Sequence, residues 1–284
     1  MKLLIFASLC VTAAGPIDAC MSISSQPNSF IGFAGQSNIV IWDPNTEVEH
    51  FVRRATFDSN SESFEFVAPT PSVPAISKAD RSAFDLLHRL TGTAEPTSRG
   101  GGGGAFGGGG SVSVIQQVEV GNLTATTLLA SDSGALKKWL EDNEYKVSKT
   151  QDVWFDHYIK KGWYLTAFKV NSKRKEIVTE AIRMSFKTSQ PFNPYYVPKE
   201  NWSKNSKLEL FLICPVPMRG FVGKDQPWLP EPTSQKWMKE DDIQILSESL
   251  NLKRGDIPVK CQLTRYNDSD FAKGVNEDLF FHRT

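Results

Sequence analysis

Residues 37–57, SNIVIWDPNTEVEHFVRRATF, carry the reading that decides the fold class. Two runs rich in branched and aromatic residues flank Asp43-Pro44-Asn45-Thr46. Proline presets the backbone for a turn and asparagine tolerates the next position, so the stretch predicts a β-hairpin. Just downstream, Phe64 and Phe66 alternate with polar neighbours in ESFEFVAPT and predict a third strand with one buried face. The prolines of APTPSVP, residues 68–74, force an extended exit. From Lys78 to Leu90 the positions Ala83, Phe84, Leu87 and Leu90 fall at helical spacing, which predicts a helix packed on the sheet.

The same two periods organise the rest of the chain. VSVIQQVEV and LTATTLLA predict two strands joined at Gly121-Asn122. Ser133 is placed to cap a helix lined by Leu136, Trp139 and Leu140 and ended by Asn143. A second helix, from Thr150 to Lys161, sets Trp154, His157 and Tyr158 on one face. WYLTAFKV and EIVTEAIRMSFKT are the most β-like segments and are expected as central strands. LELFLICPVP predicts a buried strand, Ile243, Leu246 and Leu250 a short helix, and VKCQLTRY a last strand before a charged tail ending LFFHRT. Helices interrupt strands irregularly, so the expected architecture is α+β, a mixed, mostly antiparallel sheet with helices packed on one face.

With 284 residues and 40% apolar content, the chain can bury an ordinary core without staples. Lysine plus arginine number 32 and aspartate plus glutamate also 32, so nothing in the net charge draws the chain to nucleic acid. Met1-Lys2 precedes the apolar run LLIFASLCVTAA, which Gly15-Pro16 and Ala19 close. Spanning a bilayer takes roughly 20 apolar residues, so this run is too short for an anchor and reads as a cleavable secretion signal. Residues 1–19 are therefore expected to leave, and residues 20–284 to fold as one domain outside the cytoplasm. Residues 96–111 contain the runs Gly100–Gly104 and Gly107–Gly110, expected as a flexible loop because nothing there offsets backbone entropy. A phosphate cradle would need a preceding strand, a following helix and a lysine, and this stretch has none of these cues.

Removal of the signal takes Cys10 with it and leaves Cys20, Cys214 and Cys261, an odd count for an oxidising space. Cys20 follows Ile17-Asp18-Ala19, which partly resembles the bacterial lipobox, with Asp18 departing from it. A lipid on Cys20 is the one membrane contact expected, and it would leave Cys214 and Cys261 to form a disulfide. Bonding of Cys20 to either of the others is the alternative.

In the order and wording of its blocks, the chain resembles a family of exported bacterial proteins known only as domain of unknown function 2330. The blocks are Cys20, IVIWDPNTEVEHFVRRATF, FEFVAPTPSVP and FDLLHRL, then VEVGNLTATTLLASDSGALKKWLEDNEY, GWYLTAFKV and LTRYNDSDFAKGVNEDLFF. The resemblance spans nearly all of residues 20–281. It implies bacterial export, residence outside the cytoplasm and a mixed α/β domain, and it carries over no catalytic residue.

A zinc or hydrolytic site needs about three positioned side chains, so the four histidines come first. His50, His88, His157 and His282 show no ligand spacing with one another, and HExxH, HxH and CxxC are absent. His88 and His157 sit on apolar helix faces and read as packing residues. Asp156 adjoins His157, but helix neighbours point about 100° apart and do not form a catalytic pair. His50 lies in a strand whose Glu47, Glu49 and Arg53 read as a solvated charged face. Asp241-Asp242 suit a helix start. Trp202, Trp228 and Trp237 fall in a Pro- and Lys-rich stretch expected to fold back on the domain, with an exposed sugar or peptide surface as the functional version.

No catalytic, cofactor-binding or metal-ligating residue is therefore assigned. The leading expectation is an envelope or periplasmic binding or structural protein whose partner or ligand the sequence leaves open. The alternative is an exported hydrolase in which His50, His157 and nearby carboxylates converge only in the fold.

Overall fold

A computed structural model describes residues 21–24, 31–59, 61, 63–92, 112–121, 123–145, 147, 149–171, 176–197, 207–271 and 276–283. The expected signal at residues 1–19, Cys20, the glycine runs and Trp202 lie outside them. In chain order the elements are β1 (Met21–Ser24), β2 (Ile31–Asp43), β3 (Val48–Ser59), β4 (Ser63–Thr70), β5 (Ala75–Ala79) and α1 (Ser82–Thr91). Next come β6 (Ser113–Val120), β7 (Leu123–Leu129), α2 (Ser133–Asp142), α3 (Lys149–Lys160), β8 (Tyr164–Asn171), β9 (Glu176–Val178), β10 (Ala181–Lys187) and β11 (Phe192–Asn193). The last are β12 (Leu208–Cys214), β13 (Met218–Val222), β14 (Gln226–Pro227), β15 (Pro232–Trp237), α4 (Glu240–Ser249), β16 (Gln262–Asp268) and β17 (Leu279–Arg283).

The hairpin forms where its turn residues place it. The Asp43 carboxylate accepts the Asn45 amide at 2.9 Å, and Glu47 completes the reversal with φ 52°. The β2–β3 ladder then runs from Asp43 opposite Val48 to Ile31 opposite Ser59.

The strands make three mostly antiparallel sheets. A five-stranded sheet has the order β1-β4-β8-β7-β6, an eight-stranded sheet β15-β16-β12-β2-β3-β10-β5 with β9 on β3, and a four-stranded sheet β11-β17-β13-β14. β2 and β12 pair in parallel. The α+β class is as the sequence indicates, but the apolar residues build two stacked sheets instead of one.

The reason lies in strands that are apolar on both faces. In β2, Ile39 and Ile41 point to one side, where Phe211, Ile213 and Leu263 join Phe84 and Leu87 of α1 and Leu246 of α4. Val40 and Trp42 point to the other side, into a core shared with Phe64, Phe66 and Phe168 of the five-stranded sheet. The rings of Phe66 and Phe168 stack there at 4.8 Å. The far face of the five-stranded sheet carries Leu165 and Ala167 under Leu136, Trp139, Leu140, Trp154 and Tyr158 of α2 and α3. The order is helices, sheet, sheet, helices, so each of these two sheets has helices on one face. The four-stranded sheet adds Leu279, Phe281, Met218 and Val222 to the shared core.

Local expectations fare unevenly. β8 is the central strand of its sheet, whereas β10 lies next to an edge. Asp132, not Ser133, caps α2, its carboxylate accepting the Ala135 amide at 2.7 Å, while Asn143 ends the helix as expected. Residues 75–79 form an edge strand on β10, so α1 starts at Ser82, whose amide bonds the Asp80 carboxylate at 2.8 Å. Leu279–Arg283 of the expected charged tail form a strand instead, because Leu279 and Phe281 alternate into the core. Trp228 folds back as expected, its indole N–H donating to the Tyr195 hydroxyl at 3.2 Å, while Trp237 on edge strand β15 stays 48% exposed.

Candidate binding site

The two histidines that a hydrolytic site would need stand apart. His50 is on β3 of the eight-stranded sheet, and its face is not the solvated one expected. Period-two alternation puts Glu49, Phe51 and Arg53 together on the inner side and His50, Val52 and Arg54 on the helix side. Only Glu47, in the turn, is exposed; Glu49 is 0%, Arg53 3% and His50 6% exposed. Burial holds the Glu49 carboxyl well above the carboxylate range, even though it accepts the Phe192 amide at 2.8 Å. His50 Nδ1 meets Ser185 Oγ at 2.8 Å, and burial, helped by Arg183, pushes the imidazole down to about 4. Arg183 itself donates to the Leu250 and Asn251 carbonyls at 2.6 and 2.7 Å, tying the end of α4 to the sheet.

His157 lies on α3, stacked on Tyr196 at 4.2 Å and 3.8 Å from Asp278. Asp278 is 0% exposed and accepts the Tyr158 hydroxyl at 2.7 Å and the Tyr195 and Tyr196 amides at 3.0 and 3.3 Å. Burial alone would raise this carboxyl, but His157, the Lys161 charge and these hydrogen bonds together hold it below its ordinary range. The cluster pins the segment leading into β17 to α3. His282 packs edge-on against Phe221 at 5.1 Å, in the four-stranded sheet.

Cys214 and Cys261 are both free and buried, and the expected disulfide is not formed. Cys214 lies opposite Gln262 in the ladder, so Cys261, one residue earlier, faces the other way. Cys214 belongs to the core between the sheets and Cys261 to the core under α1 and α4. Burial pushes the Cys261 thiol up to about 12 and raises that of Cys214 as well. Thiols so protonated are poor nucleophiles.

A different polar group does converge on a cavity. On the helix side of the eight-stranded sheet the ladders set Arg54 opposite Ser37 and Ser37 beside Glu209. Glu209 is the centre of the group. It accepts Ser37 Oγ at 2.9 Å and Arg265 Nε and Nη2 at 3.0 and 2.6 Å, with His88 Nε2 of α1 3.3 Å away. Burial would raise its carboxyl, but His88, Arg265 and Ser37 outweigh that and hold it below its usual range. The His88 ring also packs edge-on against Phe211 at 5.3 Å, the packing role expected for it.

These residues wall a cavity of about 620 Å³ that also takes in Gly35, Lys207 and Asn267. Sequence reading passed over Ser37, Glu209 and Arg265. The available signal was a lone carboxylate inside the apolar run LELFLIC. The carboxylate stands between serine and imidazole, so His88 does not reach the Ser37 hydroxyl and the order is not that of an activated nucleophile. Among the described residues no group of three or more His, Cys, Asp or Glu is arranged to hold a metal ion. What the arrangement offers is a preformed, charged recess.

A family model described as an uncharacterized protein conserved in bacteria, DUF2330, matches residues 16–215. Among curated proteins nothing matches the sequence. A solved structure of a mutated baculovirus P35 after caspase cleavage is similar over 89% of this chain and 100% of its own, at 6% identity and TM-score 0.35. A likeness that loose carries no inference here. Arg265 and Asn267 lie beyond the family match, so the segment after residue 215 supplies one wall of the cavity.

Proposed function

Because this chain belongs to DUF2330, a family of proteins conserved in bacteria, we propose that it acts outside the cytoplasm as a binding protein without chemistry of its own. Its ligand occupies the recess between α1, the middle of β2, the start of β12 and the end of β16. The carrying observation is the cavity itself, whose volume of about 620 Å³ is that of a small-molecule site and whose central charge is already paired. Export rests on the apolar run of residues 3–14 and its Gly15-Pro16 close. Two buried, protonated thiols suit an oxidising space without pairing, so Cys20 is not needed to balance them. A lipid on Cys20 would then serve anchoring alone, and β1 begins one residue later. Among the described residues no helix is long and apolar enough to cross a membrane.

Gly35 gives a test, since it lines the recess and a Cβ built there meets nothing within 4 Å, so a larger side chain starts in open space. The small-molecule fraction of a native envelope extract should raise the melting temperature of the wild-type chain by about 5 °C, the size expected when ligand is near a hundred times its Kd. The Gly35→Phe chain should fold normally and show no rise. An equal rise in both chains, or none in the wild type, refutes the site.

A further inference from the structure

The helix-covered face of the five-stranded sheet buries a carboxyl far from the recess. In β4, Phe64 and Phe66 point into the core between the sheets, so Glu65 points the other way, beneath α2 and α3. It is 5% exposed, and among the described residues its Oε2 meets no hydrogen-bond partner. On one side β1 sets the apolar Ile23 opposite it, and on the other β8 sets Lys169. Beyond Lys169, Glu119 of β6 is taken up by the Thr124 hydroxyl at 2.8 Å. From above, Tyr145 covers it, itself 2% exposed, with the Lys169 Nζ 5.8 Å from its ring centroid. Lys169 and the Tyr145 hydroxyl favour the ionised carboxyl, but burial outweighs both and lifts it to about 7.

Tyr145 belongs to the turn that ends α2. Glu144 takes a left-handed φ of 72°, its amide donates to the Glu141 carbonyl at 3.0 Å, and the Tyr145 amide donates to the Leu140 carbonyl at 2.9 Å. An ionised Glu65 short of donors draws water. β1 and β8 are tied to β4 by hydrogen-bonded ladders, whereas the turn rests on the sheet by side-chain packing. The turn is therefore where the cover yields at least cost. We propose that Glu65 and Tyr145 form a proton-operated latch: the turn after α2 stays seated while the carboxyl keeps its proton, and lifts from the sheet to admit water when the carboxyl ionises.

Hydrogen exchange of the full chain at pH 5 and pH 8, corrected for the intrinsic pH dependence of amide exchange, tests the latch. Any state in which Glu65 is hydrated gains population about tenfold per pH unit between 4.5 and about 7. Exchange at residues 139–145 is therefore expected to quicken more than about tenfold at pH 8, while residues 39–42 of β2 and 210–213 of β12 keep their protection. The Glu65→Gln chain should show no such rise at residues 139–145. A rise of the same size in β2 and β12 would mean that the carboxyl acts only through unfolding of the whole chain, and would overturn the latch. So would a rise that persists in Glu65→Gln, or none in the wild type.

Discussion

The Asp278→Ala chain is expected to be about 4 kcal/mol less stable than the wild type, the range for breaking one partner out of a buried charged network. Asp278 is 0% exposed, and its carboxylate accepts the Tyr158 hydroxyl and the Tyr195 and Tyr196 amides, with Lys161 3.4 Å away. Alanine would leave those donors buried without their acceptor and loosen the link between α3 and β17. Asp278→Asn keeps one acceptor oxygen and should cost less. Urea unfolding followed by circular dichroism measures both. A loss below about 1 kcal/mol for alanine would mean that the cluster is not what holds the C-terminal strand.

The second large effect is on pH dependence, where two buried groups act with opposite sign. His50 titrates at about 4 in the folded chain against 6.5 for a free imidazole. As pH falls below 6.5 the unfolded chain takes up that proton first, so His50 removes about 3 kcal/mol of stability by pH 4. Glu65 lies under the α2 side of the five-stranded sheet, facing Tyr145 and Lys169, and burial lifts it to about 7 against 4.5 when free. As pH rises above 4.5 the unfolded chain loses that proton first, so Glu65 removes about 3 kcal/mol by pH 7.

Between pH 4.5 and 6.5 these two slopes oppose each other, and Glu49, also raised by burial, adds to the falling side in wild type and variants alike. Glu65→Gln unmasks the histidine, and its stability should climb more steeply than wild type as pH rises through that window. His50→Gln unmasks the carboxyl, and its stability should fall relative to wild type over the same range. Parallel wild-type and variant profiles would show that neither group is perturbed by burial.

The hairpin at residues 37–57 was legible because a turn is local chemistry: Asp43, Pro44 and Asn45 specify it among themselves. The helices on Leu136–Leu140 and Trp154–Tyr158 were legible for the same reason, their stripes being short-range patterns. Stacking of two sheets was less so. Ile39 with Ile41 and Val40 with Trp42 serve different cores, and a run apolar on both faces does not say what covers each. Glu49 and Arg53 were misplaced because charge suggested solvent, whereas they share a strand face with Phe51, 1% exposed. In the strand frame that neighbour outweighs the charge.

The candidate site was not legible, because its members meet only through strand pairing. Glu209 reaches Ser37 across 172 residues through a parallel pair, and Arg265 across 56 through an antiparallel one. His88 comes from a helix laid over both. The cysteines show the same limit. Their count suggested a bond, and the register of β12 and β16 sends the sulfurs to opposite faces.

The most direct test of the central claim is native mass spectrometry of the chain purified from its native host, beside a Gly35→Phe chain expressed the same way. The account predicts a wild-type protein that begins at Cys20 and carries the extra mass of one small molecule, with the variant bare. Wild type and variant carrying the same species, or a wild type with no added mass, would contradict it.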